Sequence, residues 1–413
     1  MIDGDRWRRI PEARVRLWHR VGHTNRRGVI AIRIPRRRPL WVNVAAHGYE
    51  PRTIRADFRV SRHFTVRIYQ PELQWPLYGA TPSRTQAQVH IRLHPPFRTV
   101  WSVDLGGLLE FPAVVDDGTA YIGNAEETIH AISIGTGKVL WRHPTPHGQM
   151  ASSPAIFGDE LVYHGIDGDV WVLDRASGRE LWHFVVGSPI ESSPIIRAGV
   201  DYFGAWNGTL YALDLRARKL RWMRDLGAKI TSSAAIAEGV LYIGDYAGRL
   251  WALSATTGSS RWTETVNGRI YGTPAVADGR VFVASSDGDS VTAFTTNGRS
   301  LWRVGTGSYV YSSPAVWGGR VFFGSYGGVF YCVSAASGQT LWTVGAGGPI
   351  SGAAVVVDGV AYAGSFAHHI VGVAARTGRV VEWFPHGDYT PVSGNGMRLL
   401  LHGYSTLYAV EPR

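Results

Sequence analysis

The chain has 413 residues, of which 45% are hydrophobic and 18% are charged, and its formal net charge is +10 at pH 7. This composition agrees with a large soluble protein, and no apolar run approaches the length of about 18 residues that a membrane-spanning helix needs. The single cysteine, Cys332, excludes an intramolecular disulfide, and we expect it to be a small buried hydrophobic residue.

The first 71 residues are predicted to form a small β domain. Apolar residues alternate with other residues at positions 29–34 and 41–44, which is typical of strands. The segment resembles a carboxypeptidase regulatory-like, transthyretin-type β-sandwich at residues 13–15, 24–28 and 42–51. That family has a further strand before the counterpart of residues 13–15, where this chain has only twelve residues. We therefore expect a truncated domain or a start codon placed too late.

The positive charge is concentrated in the same part of the chain. Residues 1–100 contain 20 arginines and six acidic residues, which gives +14 and leaves about −4 for the remainder. A run of three arginines occupies positions 36–38. Nucleic acid or anionic lipid could bind such a segment, but the plainer interpretation, which we favour, is an arginine-rich surface in contact with solvent.

Residues 72–96 are predicted to be a lead-in linker between this domain and the rest of the chain. From residue 97 onwards, the chain repeats itself. Eight tryptophans recur at intervals of 40 or 41 residues, namely Trp101, Trp141, Trp182, Trp222, Trp262, Trp302, Trp342 and Trp383. A period of this length predicts an array of identical structural units.

Each unit is predicted to be one blade of a β-propeller. Within residues 191–222, turns at 198–199, 207–208 and 216–218 separate four short strand-like runs. Four antiparallel strands per unit make a propeller blade.

The ring is predicted to close after eight blades. A Ser/Thr-Ser-Pro-like segment marks the innermost strand and recurs eight times, from Phe111-Pro112 to the neighbourhood of Thr390-Pro391. The last unit has only three strands, so the strand around Trp101 is expected to supply its outer strand. The predicted fold is thus all-β, with an eight-bladed propeller over residues 97–413 that its N-terminal strand closes.

The repeat resembles the tryptophan-docking repeat of pyrroloquinoline-quinone (PQQ) propellers, as residues 131–141 illustrate. The resemblance implies that each tryptophan packs on a glycine-containing turn of the next blade. The motif at residues 75–79, followed by Arg84-Thr85, is similar to a lead-in common before such propellers. The family includes PQQ-dependent alcohol dehydrogenases and cofactor-free BamB-like proteins of outer-membrane assembly.

The sequence carries no recognisable catalytic motif. It has no G-x-S-x-G, P-loop, H-E-x-x-H or C-x-x-C segment. The resemblance implies that a quinoprotein would need adjacent cysteines, a calcium site and long insertions, whereas this chain has one cysteine and nearly constant tryptophan spacing. We therefore expect no enzymatic activity and no cofactor, and PQQ with calcium is the alternative.

The residues that break the repeat are the candidates for binding. Aromatic residues occupy equivalent positions in four loops between second and third strands, and further candidates lie in the loops that enter the innermost strands. The predicted rim consists of Glu191, Trp206, Tyr246, Tyr271, Tyr311, Tyr326 and Phe366. A monomer that binds a protein or peptide on this rim is the preferred interpretation. The alternatives are a glycan ligand, or aromatic residues that only cap the blades.

The sequence gives two expectations for localisation. Residues 1–10 are charged and do not form a secretory signal, so a protein that starts at Met1 would be cytoplasmic. The families that the chain resembles are usually exported or anchored. We therefore expect an extracytoplasmic or membrane-associated protein whose signal or anchor is missing from this sequence.

Overall fold

The computed structural model describes residues 1–34, 37–126, 128–145, 150–389 and 391–413. Two of the positions named above, Arg36 and Thr390, lie outside these residues. Within them the chain is built of strands, and its one helical element is a single 3₁₀ turn at Pro71–Leu73. The predicted all-β class is confirmed.

The N-terminal region contains one four-stranded antiparallel sheet. Its strands, in spatial order, are Arg20–His23, Arg14–Leu17, Pro39–Ala45 and Arg52–Asp57. Buried residues alternate with exposed ones along these strands, so one face covers a small apolar core and the other faces outward. A separate parallel pair, Ile2–Asp3 with Arg67–Ile68, has two residues in each strand. The strand predicted at residues 29–34 is wrong, because these residues are irregular in the structure and pair in no sheet. Among the described residues, only this short pair is therefore available for the second layer that a sandwich requires.

From residue 97 to residue 412 the described strands form eight antiparallel sheets, which are the blades of a propeller. The strands of blades 1 to 4 run from the innermost to the outermost as follows: Val114–Asp116, Thr119–Asn124, Thr128–Ser133 and Val139–Pro144; Ala155–Phe157, Glu160–His164, Asp169–Asp174 and Glu180–Val185; Ile195–Arg197, Val200–Gly204, Thr209–Asp214 and Lys219–Asp225; Ala235–Ala237, Val240–Gly244, Arg249–Ser254 and Ser260–Thr265.

Blades 5 to 7 have the same strand order, and blade 8 takes its fourth strand from the start of the repeat region. The strands are Ala275–Ala277, Arg280–Ser285, Ser290–Thr295 and Ser300–Gly305; Ala315–Trp317, Arg320–Gly324, Val329–Ser334 and Thr340–Gly345; Val355–Val357, Val360–Ser365, His369–Ala374 and Val380–Phe384; Val392–Gly394, Leu399–His402, Thr406–Pro412 and Phe97–Asp104.

The predicted closure is present. Phe97–Asp104 pairs antiparallel with Thr406–Pro412, so the N-terminal strand of the repeat region is the outer strand of the last blade. The innermost strands of blades 8 and 1 contact each other, which completes the ring. Closure pairs the third strand of the last blade along its outer side, so that the ring does not end in an incomplete blade.

Hydrogen bonds between blades explain why serine recurs beside the innermost strands. The Ser153 backbone N–H donates to Ser193 Oγ (3.0 Å), and the Ser193 N–H donates to Ser233 Oγ (2.8 Å). The Thr273 N–H donates to Ser313 Oγ in the same way (2.9 Å). Each of these bonds joins residues 40 positions apart. The apolar clusters also lie between neighbouring blades, so the core is shared around the ring.

Seven of the eight predicted docking tryptophans lie against the following blade. Six donate their indole Nε1–H to a backbone carbonyl there: Trp101 to Ile134, Trp141 to Arg175, Trp222 to Ala255, Trp262 to Thr296, Trp302 to Ala335 and Trp342 to Ala375, at 2.8–3.1 Å. Trp182 instead lies under the Arg218 guanidinium at 5.5 Å. Glycine is needed in the receiving turn, because a Cβ on Gly258 would come within 2.7 Å of the Trp222 ring.

The expectation for Trp383 requires correction. Its side chain is 49% exposed and stacks on His369 with ring centroids 4.0 Å apart. In the preceding blade, Trp342 pairs with Cys332 on the neighbouring strand. At the equivalent position in this blade, Glu382 and not Trp383 pairs with Gly372. The indole therefore lies one residue out of register, and such a shift moves a side chain to the other face of a strand.

The lead-in at residues 72–96 does more than connect two regions. Its backbone carbonyls accept hydrogen bonds from residues in the innermost strands of six blades, namely Val115, Ile156, Ile236, Val276, Val316 and Val356. Residues Ala87–Gln88 also add a short parallel strand to blade 7. The segment thus runs inside the channel and covers the edges of the innermost strands.

The Arg84 side chain connects the lead-in to blades 3 and 4. The side chain is fully buried, and it donates to the carbonyls of Ala234 (3.0 Å), Pro194 (2.9 Å) and Ser193 (3.2 Å). It also donates to the Tyr78 carbonyl. Burial lowers the pKa of the guanidinium to about 10, which still leaves it charged at neutral pH.

Candidate functional site

Eight equivalent positions surround the mouth of the channel, each four residues before the innermost strand of its blade. They are Glu110, Ala151, Glu191, Thr231, Tyr271, Tyr311, Ser351 and Asp388. All of them except Ala151 and Asp388 line one small cavity of about 60 Å³. The lead-in supplies the floor through Tyr78, whose hydroxyl donates to Ser313 Oγ at 3.1 Å.

Aromatic rings form a continuous arc beside this cavity. Successive ring centroids are 6.5 Å apart for Tyr246 and Tyr271, 5.7 Å for Tyr271 and Tyr311, 5.6 Å for Tyr311 and Tyr326, 5.9 Å for Tyr326 and Phe366, and 5.1 Å for Phe366 and Tyr389. Most neighbours meet edge to face, the arrangement that the aromatic quadrupole favours. The arc extends from blade 4 to the loop that enters blade 8.

A lysine connects the remaining predicted aromatic residue to the arc. The Lys229 ammonium lies 3.3 Å from the centroid of the Trp206 ring and 5.1 Å from that of Tyr246. This geometry is a cation–π contact shared by two rings. Every predicted rim residue is therefore part of one surface on one face of the propeller.

Two carboxylates lie at the cavity. Burial, with a contribution from nearby Glu191, raises the pKa of Glu110 to about 6. Burial also raises the pKa of Glu191, although the Lys229 charge partly opposes that shift. Burial, together with both glutamates, raises the pKa of Tyr271 as well. The cavity itself is thus lined by two carboxylates and no cation, which would favour a positively charged group, while Lys229 and Arg269 lie over the Tyr246 ring on the rim beside it.

Sequence reasoning missed three residues of this site, Glu110, Lys229 and Tyr389. In the sequence, Phe111-Pro112 aligns with the Ser-Pro pairs of the other blades. That alignment is one residue out of register, so it does not place Glu110 at the position equivalent to Glu191. Counting back from the strand start would have found it. Nothing in the sequence indicated that Lys229 covers Trp206 or that Tyr389 continues the arc.

A larger cleft of about 920 Å³ lies between the N-terminal sheet and blades 1 and 2. Its acidic residues are partly compensated, because Arg175 pairs with Asp116 and lies 3.5 Å from Asp117. The cleft lacks the continuous aromatic arc of the channel mouth. The channel mouth is therefore the stronger candidate.

The cavity at the channel mouth does not fit PQQ. This cofactor is a flat fused-ring tricarboxylate, which needs cationic partners and more space than about 60 Å³. The residues that line the cavity include two glutamates but no lysine or arginine. The part of the chain that the structure describes also contains no cluster of three or more His, Cys, Asp or Glu side chains placed to hold a metal ion.

The blades, the tryptophan contacts and the ring closure define a PQQ-like repeat β-propeller. The family described as outer membrane protein assembly factor BamB matches residues 94–205, 206–313 and 289–400. The chain belongs to that family. BamB of Bordetella pertussis is 26% identical over 97 residues, a match that spans 24% of this chain and a quarter of the length of that relative.

Solved structures share the fold at low sequence identity. BamB from Moraxella catarrhalis superposes with a TM-score of 0.65 and 18% identity, over 77% of this chain and 98% of that one. Quinohemoprotein alcohol dehydrogenase from Comamonas testosteroni gives 0.72 and 14%, over 82% of this chain and 80% of that one. A similar backbone is therefore found in an assembly factor and in an enzyme, and the fold alone does not choose between them. No helix in the described ranges is long and apolar enough to span a membrane.

Proposed function

We propose that this protein is a non-enzymatic scaffold that binds a protein partner on its aromatic rim. The observation that carries the proposal is the continuous arc of rings beside the channel mouth, joined to Trp206 through Lys229. Rigid aromatic groups bury a large area at little cost in conformational entropy, and they are enriched where binding energy is concentrated.

The shape and charge of the rim favour an extended segment of the partner. The arc follows the circumference over several blades, so a chain lying across it can contact successive rings. Glu110 and Glu191 lie beside the arc without lysine or arginine in the cavity lining, which favours a basic side chain entering the mouth. The partner that fits is therefore an extended polypeptide with aromatic or apolar residues and a basic group.

The cell envelope is the proposed location. Support comes from the family, whose description names an outer membrane protein assembly factor, and from the BamB of Moraxella catarrhalis with the same fold. An assembly role in the envelope would use a surface that holds an unfolded or partly folded chain.

The direct test replaces Trp206, Tyr246 and Tyr326 together with alanine. We expect the variant to lose most partner binding in pull-downs from native envelope extracts, because three rings of the surface are removed. Trp383→Ala is the matched control, since it removes an exposed indole from an outer strand and should leave binding unchanged. Equal recovery of partners by the triple variant and the wild type would refute the rim as the binding site.

Each alternative function predicts a positive result in an assay of its own. A quinoprotein would bind added PQQ and calcium saturably and would oxidise alcohols with a dye as electron acceptor, whereas the proposal predicts neither. A glycan-binding propeller would be retained on a polysaccharide column and released by the free sugar. Retention by sugar with no protein partner would replace the proposal with that function.

A further inference from the structure

A second surface lies at the tip of the N-terminal sheet. The strand directions bring three segments to one end: the turn at 18–19, residues 37–38, and the loop at 58–64 that follows Arg52–Asp57. Arg38 lies 5.3 Å from the Trp18 ring, and Phe58 and Phe64 have ring centroids 4.9 Å apart. The Phe58 backbone N–H also donates to the Arg38 carbonyl (3.4 Å), so Arg38 connects the turn at 18–19 with the loop at 58–64.

The tip exposes apolar side chains that do not contribute to the core. Trp18 is 44% exposed, Val60 84% and Phe64 38%. Val21, on the strand after the turn, is also exposed. Trp18 has a backbone φ of 55°, an uncommon conformation for a bulky residue at a position where glycine or asparagine would be easier. A large indole at the apex of this turn therefore indicates a role outside the fold.

Arginines surround these apolar groups. The exposed members are Arg20, Arg37, Arg38, Arg59 and Arg62. Of the acidic side chains in the described part of this domain, Asp57 lies at the tip, and Arg59 already binds it at 2.7 Å. Asp3 and Asp5 are buried near the opposite end, where they bind Tyr49, Gln70 and Gln74. The positive charge of the tip is thus largely uncompensated.

We propose that this tip binds the surface of an anionic lipid bilayer. The arginines would contact lipid phosphates, while Trp18, Val60 and Phe64 would enter the boundary between head groups and acyl chains. Nucleic acid would also attract the arginines, but it offers no use for exposed valine. The apolar residues therefore favour lipid. This surface shares no residue with the rim.

Sedimentation with vesicles tests the proposal. The full-length protein should bind vesicles of phosphatidylglycerol and phosphatidylcholine in equal parts and should not bind pure phosphatidylcholine. The double change R38Q/R62Q should weaken binding by more than about tenfold, since each arginine near an anionic surface contributes roughly fivefold. V60D should weaken binding as well, because a charge enters the boundary region.

Controls separate this outcome from other effects. R299Q/R379Q removes two exposed propeller arginines with the same change in net charge and should leave vesicle binding intact. Circular dichroism and a thermal melt of each variant check that the domain remains folded. Absence of vesicle binding, binding that resists R38Q/R62Q, or binding to double-stranded DNA in place of vesicles would overturn the proposal. The variant with Trp206, Tyr246 and Tyr326 replaced by alanine should bind vesicles normally. Loss of partner binding and loss of membrane binding can therefore be distinguished.

Discussion

Glu110 places a carboxyl group where charge is unfavourable. Its pKa is raised to about 6, from an ordinary value of 4.5, by burial and by Glu191. Such a group contributes most stability below its unfolded pKa, and that contribution is lost as the pH rises through the folded pKa. Glu110→Gln should therefore raise the free energy of unfolding by about 1–2 kcal/mol at pH 8 and leave it unchanged at pH 4.

Denaturant titrations at both pH values measure this difference. Glu72→Gln is the control, because Glu72 is exposed and outside the cavity. A gain for Glu110→Gln that is equal at pH 4 and pH 8 would contradict the electrostatic explanation. Glu110→Gln should also weaken the binding of a partner that inserts a basic side chain into the cavity. The same carboxylate would then lower stability and contribute to binding.

The site was partly predictable at the level of single residues. Trp206, Tyr246, Tyr326 and Phe366 could be identified because they interrupt a repeat whose equivalent positions are known from the period. Lys229 could not, since its contact with Trp206 depends on how two neighbouring blades face each other.

At the scale of the strands and blades, the strongest prediction concerns the stability that the docking tryptophans contribute. Trp222 packs on Gly258 and donates to the Ala255 carbonyl, so Trp222→Ala should lower the free energy of unfolding by about 3 kcal/mol. Trp383 stacks at the surface on His369, so Trp383→Ala should cost less than about 1 kcal/mol. Chemical denaturation of the two variants side by side measures the contrast. Equal losses would show that Trp383 supports the ring as the others do.

The period of the sequence explains why the propeller itself was predictable. Regular spacing at 40 or 41 residues reflects one blade repeated, and strands and turns follow from alternation and glycine. The lead-in is different, because residues 72–96 follow no period and bind the innermost strands through backbone carbonyls. Any sequence can supply such carbonyls, so the motif at residues 75–79 with Arg84-Thr85 indicated that a lead-in is present but not which strands it contacts.

The whole molecule combines a closed ring with two outward-facing surfaces. The lead-in and Arg84 hold the channel from within, and Tyr78 forms the floor of the cavity at its mouth. The rim is therefore supported from within the channel, which suits the binding of a flexible chain that we propose for it. The tip of the N-terminal sheet, for which we propose membrane binding, is a separate surface.

The most direct test of the rim is photo-crosslinking in the native cell. The photoreactive amino acid p-benzoylphenylalanine replaces Phe366 or Tyr326 in one set of variants and the exposed outer-strand residue Leu341 in the control. If the rim binds a protein partner, irradiation should give discrete protein adducts from both rim positions and none from position 341. Adducts from position 341 alone, or none from either rim position, would contradict it.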